Sequence, residues 1–334
     1  MIKHKAIMIG AGLANMASAV YLIQEGHWDG SAITFYGIDD HGSNDGSAAD
    51  EQAADYWNKN HPLENTMGYV ARGGRMLNYR TYVDLMDLLS RVPSVTEPNM
   101  TAAEDTKDFD AKHPTFDKAR LLRRGEGIVN AGKLGLDNMD RMLLTKLVMM
   151  PEKDEERLDN VTIADYFRDD PHMFTTNFWY MWETTFAFRT QSSAQELRRY
   201  MHQMLFEFTQ IEHLVGVNRT RYNQYESIML PLIEYLKKAG VGFEFGKIVS
   251  DWQFRDSPMQ DEITVTGLEL TDAKTGQNSH VAVDGDTAVI FTNGSITDSA
   301  TLGDFNTPAH ENMDYGISAA LWKKAATRFY NLGN

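Results

Sequence analysis

An apolar strand running straight into a Gly-x-Gly turn and then an apolar helix constrains this chain more than any other feature. Ala6 to Ile9 is the strand and Gly10-Ala11-Gly12 the turn. Met16, Ala17, Val20, Tyr21 and Ile23 then recur at helical spacing until Gly26 offers a stop. A second strand over Ile33 to Tyr36 completes a βαβ opening, and Gly42-Ser43-Asn44-Asp45-Gly46 follows it. The chemistry is that of a phosphate cradle. Gly10 permits the tight turn, Gly12 lets backbone approach a pyrophosphate, and the N-terminus of the next helix offers unpaired N–H groups and a partial positive charge. Two positions depart from the usual fingerprint. Asn15 stands where a third glycine is common, and Gly37 stands where an acidic residue would hold a ribose, with Asp39 and Asp40 as loop substitutes. On these residues alone, a dinucleotide site and an ordinary tight turn both remain open.

Composition narrows the function classes. A chain of 334 residues can bury a large core, and 42% hydrophobic with 24% charged residues is a globular balance. No apolar run approaches the about 18 residues a transmembrane helix needs, so the expectation is a cytoplasmic protein. The absence of cysteine removes disulfides, thiolate metal sites and cysteine nucleophiles, and no metal site is expected. A net charge of −15 argues against nucleic acid as a partner and requires a local cationic pocket for any anionic substrate.

Further along, Tyr69 to Arg80 holds Arg72-Gly73-Gly74-Arg75-Met76-Leu77-Asn78, a glycine pair among arginines, which suits either backbone brought close to an anion or a basic surface turn. A helix follows with Val83, Leu85, Met86, Leu88 and Leu89 as its apolar face. The charged stretch from Glu97 to Arg120 reads as an irregular, mobile excursion. Arg123-Arg124-Gly125-Glu126-Gly127 is a second glycine-arginine cluster, and a helical region then runs through Leu143 to Pro151. Phe174, Phe178, Trp182 and Phe186, each four residues apart, stack on one helical face; such a stripe is core or a ligand wall. Arg198, Arg199 and Tyr200 lie one helix later, and Met201, Met204, Leu205 and Phe208 continue an apolar face. An amphipathic helix from Asn223, with Pro231 near its start and Gly240 as its stop, leads into a strand over Gly242 to Phe245. Antiparallel strands around Ile263 to Leu270 precede a buried strand from Ala288 that enters Thr292-Asn293-Gly294-Ser295 and could return the chain to a cofactor.

These motifs in this order resemble the oleate hydratases, the flavin-dependent fatty acid hydratases also called the myosin-cross-reactive antigen family. The resemblance is carried by Gly10-Ala11-Gly12-Leu13, Gly42-Ser43-Asn44-Asp45-Gly46, Arg72-Gly73-Gly74-Arg75, Phe178-Trp179-Tyr180-Met181-Trp182 with Phe186-Ala187-Phe188, Arg198-Arg199-Tyr200, Tyr222-Asn223-Gln224-Tyr225-Glu226-Ser227 and Thr292-Asn293-Gly294-Ser295. It implies an α/β fold in which a Rossmann-like FAD-binding domain, 1–60 with 215–334, carries an inserted, mostly helical substrate lobe, 61–214. It also implies addition of water to the cis double bond of an unsaturated long-chain fatty acid, with FAD mainly organising the site. Cofactor contacts then fall on Gly10, Gly12, Leu13, Ser43, Asp45, Gly46, Arg72, Gly73, Gly74, Arg75, Asn293, Gly294 and Ser295. Transient contact with a lipid surface stays open.

Hydration of an isolated alkene needs an acid to protonate one carbon and a group to orient and deprotonate water at the other. The resemblance gives the first role to Tyr200, with Arg198 and Arg199 as neighbours that would lower its pKa. The family's water-activating glutamate directly follows Arg-Gly-Gly-Arg, and here that slot holds Met76, whose thioether has no useful basicity. Asn78, backbone or the flavin could orient water instead. The family also continues beyond Asn334, so a fragment is expected. A flavin oxidoreductase of amine-oxidase-like fold and a non-catalytic flavin-binding fragment are the alternatives, separable by redox turnover and by bound flavin without product.

Overall fold

In β1 (Lys5–Ile9), Ala6, Ile7, Met8 and Ile9 are buried in succession, the pattern of a strand covered on both faces of a parallel sheet. The computed structural model describes residues 4–37, 74–118, 121–204, 207, 210, 212–255, 263–292, 306–310, 316–329 and 332. After β1 the elements are α1 (Leu13–Gln24), β2 (Ile33–Gly37), β3 (Met76–Leu77), α2 (Val83–Ser90), α3 (Ala102–Lys112), β4 (Leu122–Arg123), β5 (Gly127–Ile128), α4 (Asn138–Val148), α5 (Ile163–Tyr166), α6 (Asn177–Phe186) and α7 (Ala194–Gln203). There follow β6 (Asn218–Arg219), α8 (Leu230–Lys238), β7 (Gly242–Phe245), β8 (Lys247–Phe254), β9 (Val265–Asp272), β10 (Asn278–Ala282), β11 (Thr287–Phe291) and α9 (Ile317–Arg328). The chain divides into two compact units. One comprises 1–75, 84–107 and 220–334, the other 76–83 and 108–219. Residues 84–107, assigned to the helical lobe on sequence, thus cluster with the sheet.

The first unit holds a parallel sheet in the order β11-β1-β2-β7. Its strands, taken in chain order, therefore lie third, second, first, fourth from the β7 edge, the arrangement of a mononucleotide-binding Rossmann half. This is the α/β, Rossmann-like class expected from the opening motif. β11 is half-buried at the sheet edge among the described strands, not the fully buried strand its apolar run suggests. An antiparallel sheet, β10-β9-β8, packs Val249, Leu268 and Leu270 into a core shared with Ile7, Ile9 and Leu321. The expected amphipathic helix from Asn223 is two pieces. A π-helical turn over Tyr225–Met229 closes with Leu230 N–H on the Tyr225 carbonyl, and α8 then starts with Pro231 in its first turn, where a missing N–H costs nothing.

The second unit packs Phe167, Met173, Phe178, Trp182, Leu147 and Ile163 at its centre. Of the aromatic stripe, Phe178, Trp182 and Phe186 lie on α6, while Phe174 sits in a 3₁₀ turn before it and meets Trp179 edge-on at 5.1 Å. Phe178 and Trp182 are core. The excursion expected between Glu97 and Arg120 contains α3. Its start was written in the sequence as Thr101-Ala102-Ala103-Glu104, a reciprocal cap in which the Glu104 carboxylate accepts from Thr101 N–H at 2.8 Å and Thr101 Oγ1 accepts from Glu104 N–H at 3.2 Å. Charge density concealed this helix. No helix among the described residues is long and apolar enough to cross a membrane.

Candidate functional site

In the sheet unit the glycine turn has the geometry its residues imply. Gly10 has φ +92°, a conformation unfavourable to any L side chain, and a Cβ there would lie 2.9 Å from Thr292 Oγ1. Gly12 begins α1 with no side-chain cap, and the first turn carries no acidic residue that would compete for its N–H groups and dipole. Leu13 is the first residue of the helix. Asn15, in the slot of the missing third glycine, is fully buried. Its amide donates to the carbonyls of Ile9 at 2.8 Å and Gly10 at 2.7 Å, so a side chain holds the turn where a glycine would only allow packing. Gly37 is constrained by space alone, because a Cβ on it would stand 3.2 Å from that of Ala11. The sheet order reverses between β1 and β11, which is where open α/β sheets take ligands. There Thr292, the first residue of the returning motif, sits beside Gly10. Ser43, Asp45, Gly46, Arg72, Gly73, Asn293, Gly294 and Ser295 lie outside the described residues, as do Asp39 and Asp40.

Gly74 packs against the chain itself. A Cβ there would meet Thr220 Oγ1 at 3.0 Å and the Thr220 and Tyr222 carbonyls at 3.2 Å, and Arg75 N–H donates to Thr220 Oγ1 at 2.8 Å. The Arg75 side chain is exposed. The other glycine-arginine cluster is an exposed hairpin between β4 and β5, with Arg123 paired to Glu126 at 3.0 Å.

The helical unit gathers the remaining candidates. Met76 pairs with Arg219 between β3 and β6, is 41% exposed and offers no base. Asn78 is buried. Its amide donates to the Gln203 carbonyl at 3.0 Å and to Glu207 Oε2 at 2.8 Å, while its carbonyl accepts from Arg80 N–H. Gln203 ends α7, the helix that carries Tyr200, so Asn78 ties its own loop to the end of the Tyr200 helix. Tyr200 is half-buried, edge-on to Phe186 at 5.6 Å and Phe188 at 5.2 Å. A cavity of about 360 Å³ is lined by Asn78, Tyr79, Arg80, Glu207, Gly216 and Asn218, among others. Glu207 was not singled out by sequence reasoning, although a carboxylate inside Met204-Leu205-Phe206-Glu207-Phe208 is conspicuous. Burial pushes its carboxyl above the ordinary range, against the opposing influence of the Asn78 hydrogen bond and the Arg80 charge.

Arg198 and Arg199 do not serve Tyr200 as expected. Successive residues on a helix diverge by about 100°, and both guanidinium groups meet Glu155. Arg198 Nη1 donates to Oε1 at 2.9 Å and Nη2 to the Met150 carbonyl at 2.7 Å, and Arg199 grips both Glu155 oxygens at 3.0 and 2.9 Å. These partners, Arg199 above all, hold the Glu155 carboxyl below its usual range. Asp137, Asp140 and His172 form a further cluster at the start of α4. Its bonds are those of a helix cap, with Asp137 accepting from Met139 and Asp140 N–H, and His172 Nδ1 lying 2.9 Å from Asp140 Oδ2.

The profile of the MCRA family matches residues 3–334. A linoleate hydratase of Lactiplantibacillus plantarum is 76% identical over 333 residues, covering 100% of this chain and 58% of that protein. An oleate hydratase of Streptococcus pyogenes serotype M49 (strain NZ131) is 29% identical over 333 residues, covering 99% of this chain and 52% of that protein. The chain thus spans little more than half the length of these relatives. Among solved structures, a CLA-producing fatty acid isomerase from P. acnes aligns with a TM-score of 0.44 at 12% identity, over 87% of this chain and 59% of that one.

Proposed function

The chain belongs to the MCRA family, and from that premise we propose that it carries the acid-base portion of a fatty acid hydratase, adding water across a cis double bond of oleic or linoleic acid. The observation that carries this reading is the 76% identity to a linoleate hydratase along the whole chain. The geometry supports it through Asn78, which links the loop after the vacated glutamate slot at Met76 to the end of the helix bearing Tyr200.

In this reading the cradle at Gly10, Gly12 and Leu13 holds the FAD pyrophosphate. The uncapped α1 N-terminus and the lack of space for any Cβ at Gly10 suit such a group. Ser43, Asp45, Gly46, Arg72, Gly73, Gly74, Arg75, Asn293, Gly294 and Ser295 complete the cofactor shell. FAD, when bound, supplies organisation of the site and no net electrons. Tyr200 gives its phenolic proton to one alkene carbon, positive charge develops on the neighbouring carbon, and water adds there. The aromatic edges of Phe186 and Phe188 fix the Tyr200 ring and leave one hydroxyl as its polar handle.

Incubation of the flavin-loaded protein with oleic or linoleic acid in heavy-oxygen water, followed by mass spectrometry, should give a labelled hydroxy acid without consumption of an electron donor or acceptor. Tyr200→Phe should lower the rate by about 10²–10⁴-fold. Stoichiometric consumption of an electron acceptor would favour a flavin oxidoreductase instead. Bound flavin with no product would favour a non-catalytic module, the reading to which Met76 lends weight.

A further inference from the structure

If the chain is a hydratase with Met76 in the glutamate slot, the thioether there cannot take the water proton, and a carboxylate elsewhere is the ordinary group to do so. Glu207 has the required surroundings. It is 5% exposed, lines the 360 Å³ cavity, and sits beside the one amide that also contacts the Tyr200 helix. A buried carboxylate is costly to keep charged unless something holds it. Asn78 donates to Oε2, and the Arg80 charge favours the ionised form, so a hydrogen bond and a nearby charge support the group as an anion. The contrast with Glu155 is direct: that carboxylate is covered by two guanidinium groups, which hold its carboxyl below the ordinary range. Oε1 of Glu207 lies on the Gly216 side, 3.6 Å from where a Cβ on Gly216 would stand, and the missing side chain leaves room over it.

We propose that Glu207 is the water-activating carboxylate of this chain, oriented by Asn78, in place of the glutamate that Met76 displaces; this rests on the hydratase reading above. As Tyr200 Oη–H breaks and its proton forms a C–H bond on one alkene carbon, the other carbon becomes electron-poor. A water oxygen forms the C–O bond there, and the water O–H bond breaks with its proton passing to Glu207. The carboxyl then returns that proton through solvent to the Tyr200 phenolate, so no oxidant or reductant is involved. The same desolvation that raises the carboxyl above its ordinary range makes the carboxylate a stronger base towards water.

Glu207→Gln is the test, since a glutamine can keep the Asn78 contact yet cannot accept a proton. In the flavin-loaded protein acting on oleic or linoleic acid, we expect kcat to fall about 10²–10⁴-fold with KM little changed. We also expect the acid limb of the pH–rate profile to disappear. Fatty acid binding, read by tryptophan fluorescence, should persist. Glu207→Asp should retain the acid limb at an intermediate kcat, and it carries the test if the glutamine variant does not fold. Undiminished kcat with an intact acid limb in Glu207→Gln, or in Glu207→Asp a kcat equal to wild type, would overturn the assignment while leaving the hydratase reading standing. A wild-type protein that binds fatty acid and yields no labelled product would overturn both.

Discussion

The sheet unit buries Ala6, Ile7, Met8 and Ile9 one after another along β1, and among its described residues Asp105 is its buried charged side chain. The helical unit buries Asp110, Asp140, Glu155, Asp170, Arg198 and Glu207. The difference is between polar work done by backbone and polar work done by side chains. In the sheet unit the polar work is done by backbone, through the uncapped start of α1 and a glycine turn at a strand-order reversal, so the side chains can be apolar or absent. In the helical unit it is done by side chains, which find partners in place: Arg198 has Glu155, Asp110 has Tyr79 and Arg219 N–H, and Glu207 has Asn78. Errors in the two units should therefore have different consequences.

The largest effect is expected where a buried charge loses its partner. Arg198→Ala removes the buried one of two cations from Glu155, which keeps Arg199, and strands the Met150 carbonyl, and should cost about 3 kcal/mol in urea unfolding. Arg199→Ala removes a partner whose side chain is 62% exposed and should cost less than about 1 kcal/mol. Equal losses in the two variants would break the comparison, because burial would then not be what makes the helical unit sensitive.

In the sheet unit the sensitive point is conformational. Gly10→Ala places a methyl group on φ +92° and against Thr292 Oγ1, at an expected cost of about 1–3 kcal/mol measured without cofactor. It should also weaken flavin binding in a titration, since backbone approach is what the turn provides. Thr292→Ala combined with Gly10→Ala should recover the part of the loss due to the clash and not the part due to φ.

The same contrast explains what could be read from the chain beforehand. Apolar runs and Gly-x-Gly announce backbone solutions, so β1, α1, β2 and the return of β11 beside the turn were legible in residues 5–37 and 288–292. Asn15 looked like a defect because its compensation, two hydrogen bonds to the carbonyls of Ile9 and Gly10, exists only once the turn is folded. Side-chain solutions depend on pairing between distant positions, as Arg198 with Glu155 or Asn78 with Glu207, and periodicity carries no record of the partner. Adjacency in the run Arg198-Arg199-Tyr200 does not say where each side chain goes, and both guanidinium groups meet Glu155. The helix α3 was different, since its Thr101…Glu104 cap was a local signal masked by charge. Met76 was legible as an absence, and what surrounds Glu207 was not.

The smallest effect is in pH dependence, and it sharpens the comparison because it should arise in the helical unit. The Asp140 carboxylate, bonded to His172 Nδ1, raises the imidazole above its ordinary value of 6.5, with Asp137 and Asp170 adding to the negative surroundings. A group whose folded pKa is raised stabilises the fold below its unfolded pKa and loses that contribution as pH rises through the folded value. Asp170, pushed up by burial and by Asp140, has the same sign in the carboxylate range, whereas Glu155, held low by its arginines, stabilises above its unfolded range and is lost on acidification. Near neutrality His172 alone among these three titrates, so wild-type stability should decline as pH rises from 6.5. His172→Gln should flatten that decline in thermal melts. If the slope survives the substitution, the helix cap at α4 is not its source, and the buried charges of this unit are balanced without help from the imidazole.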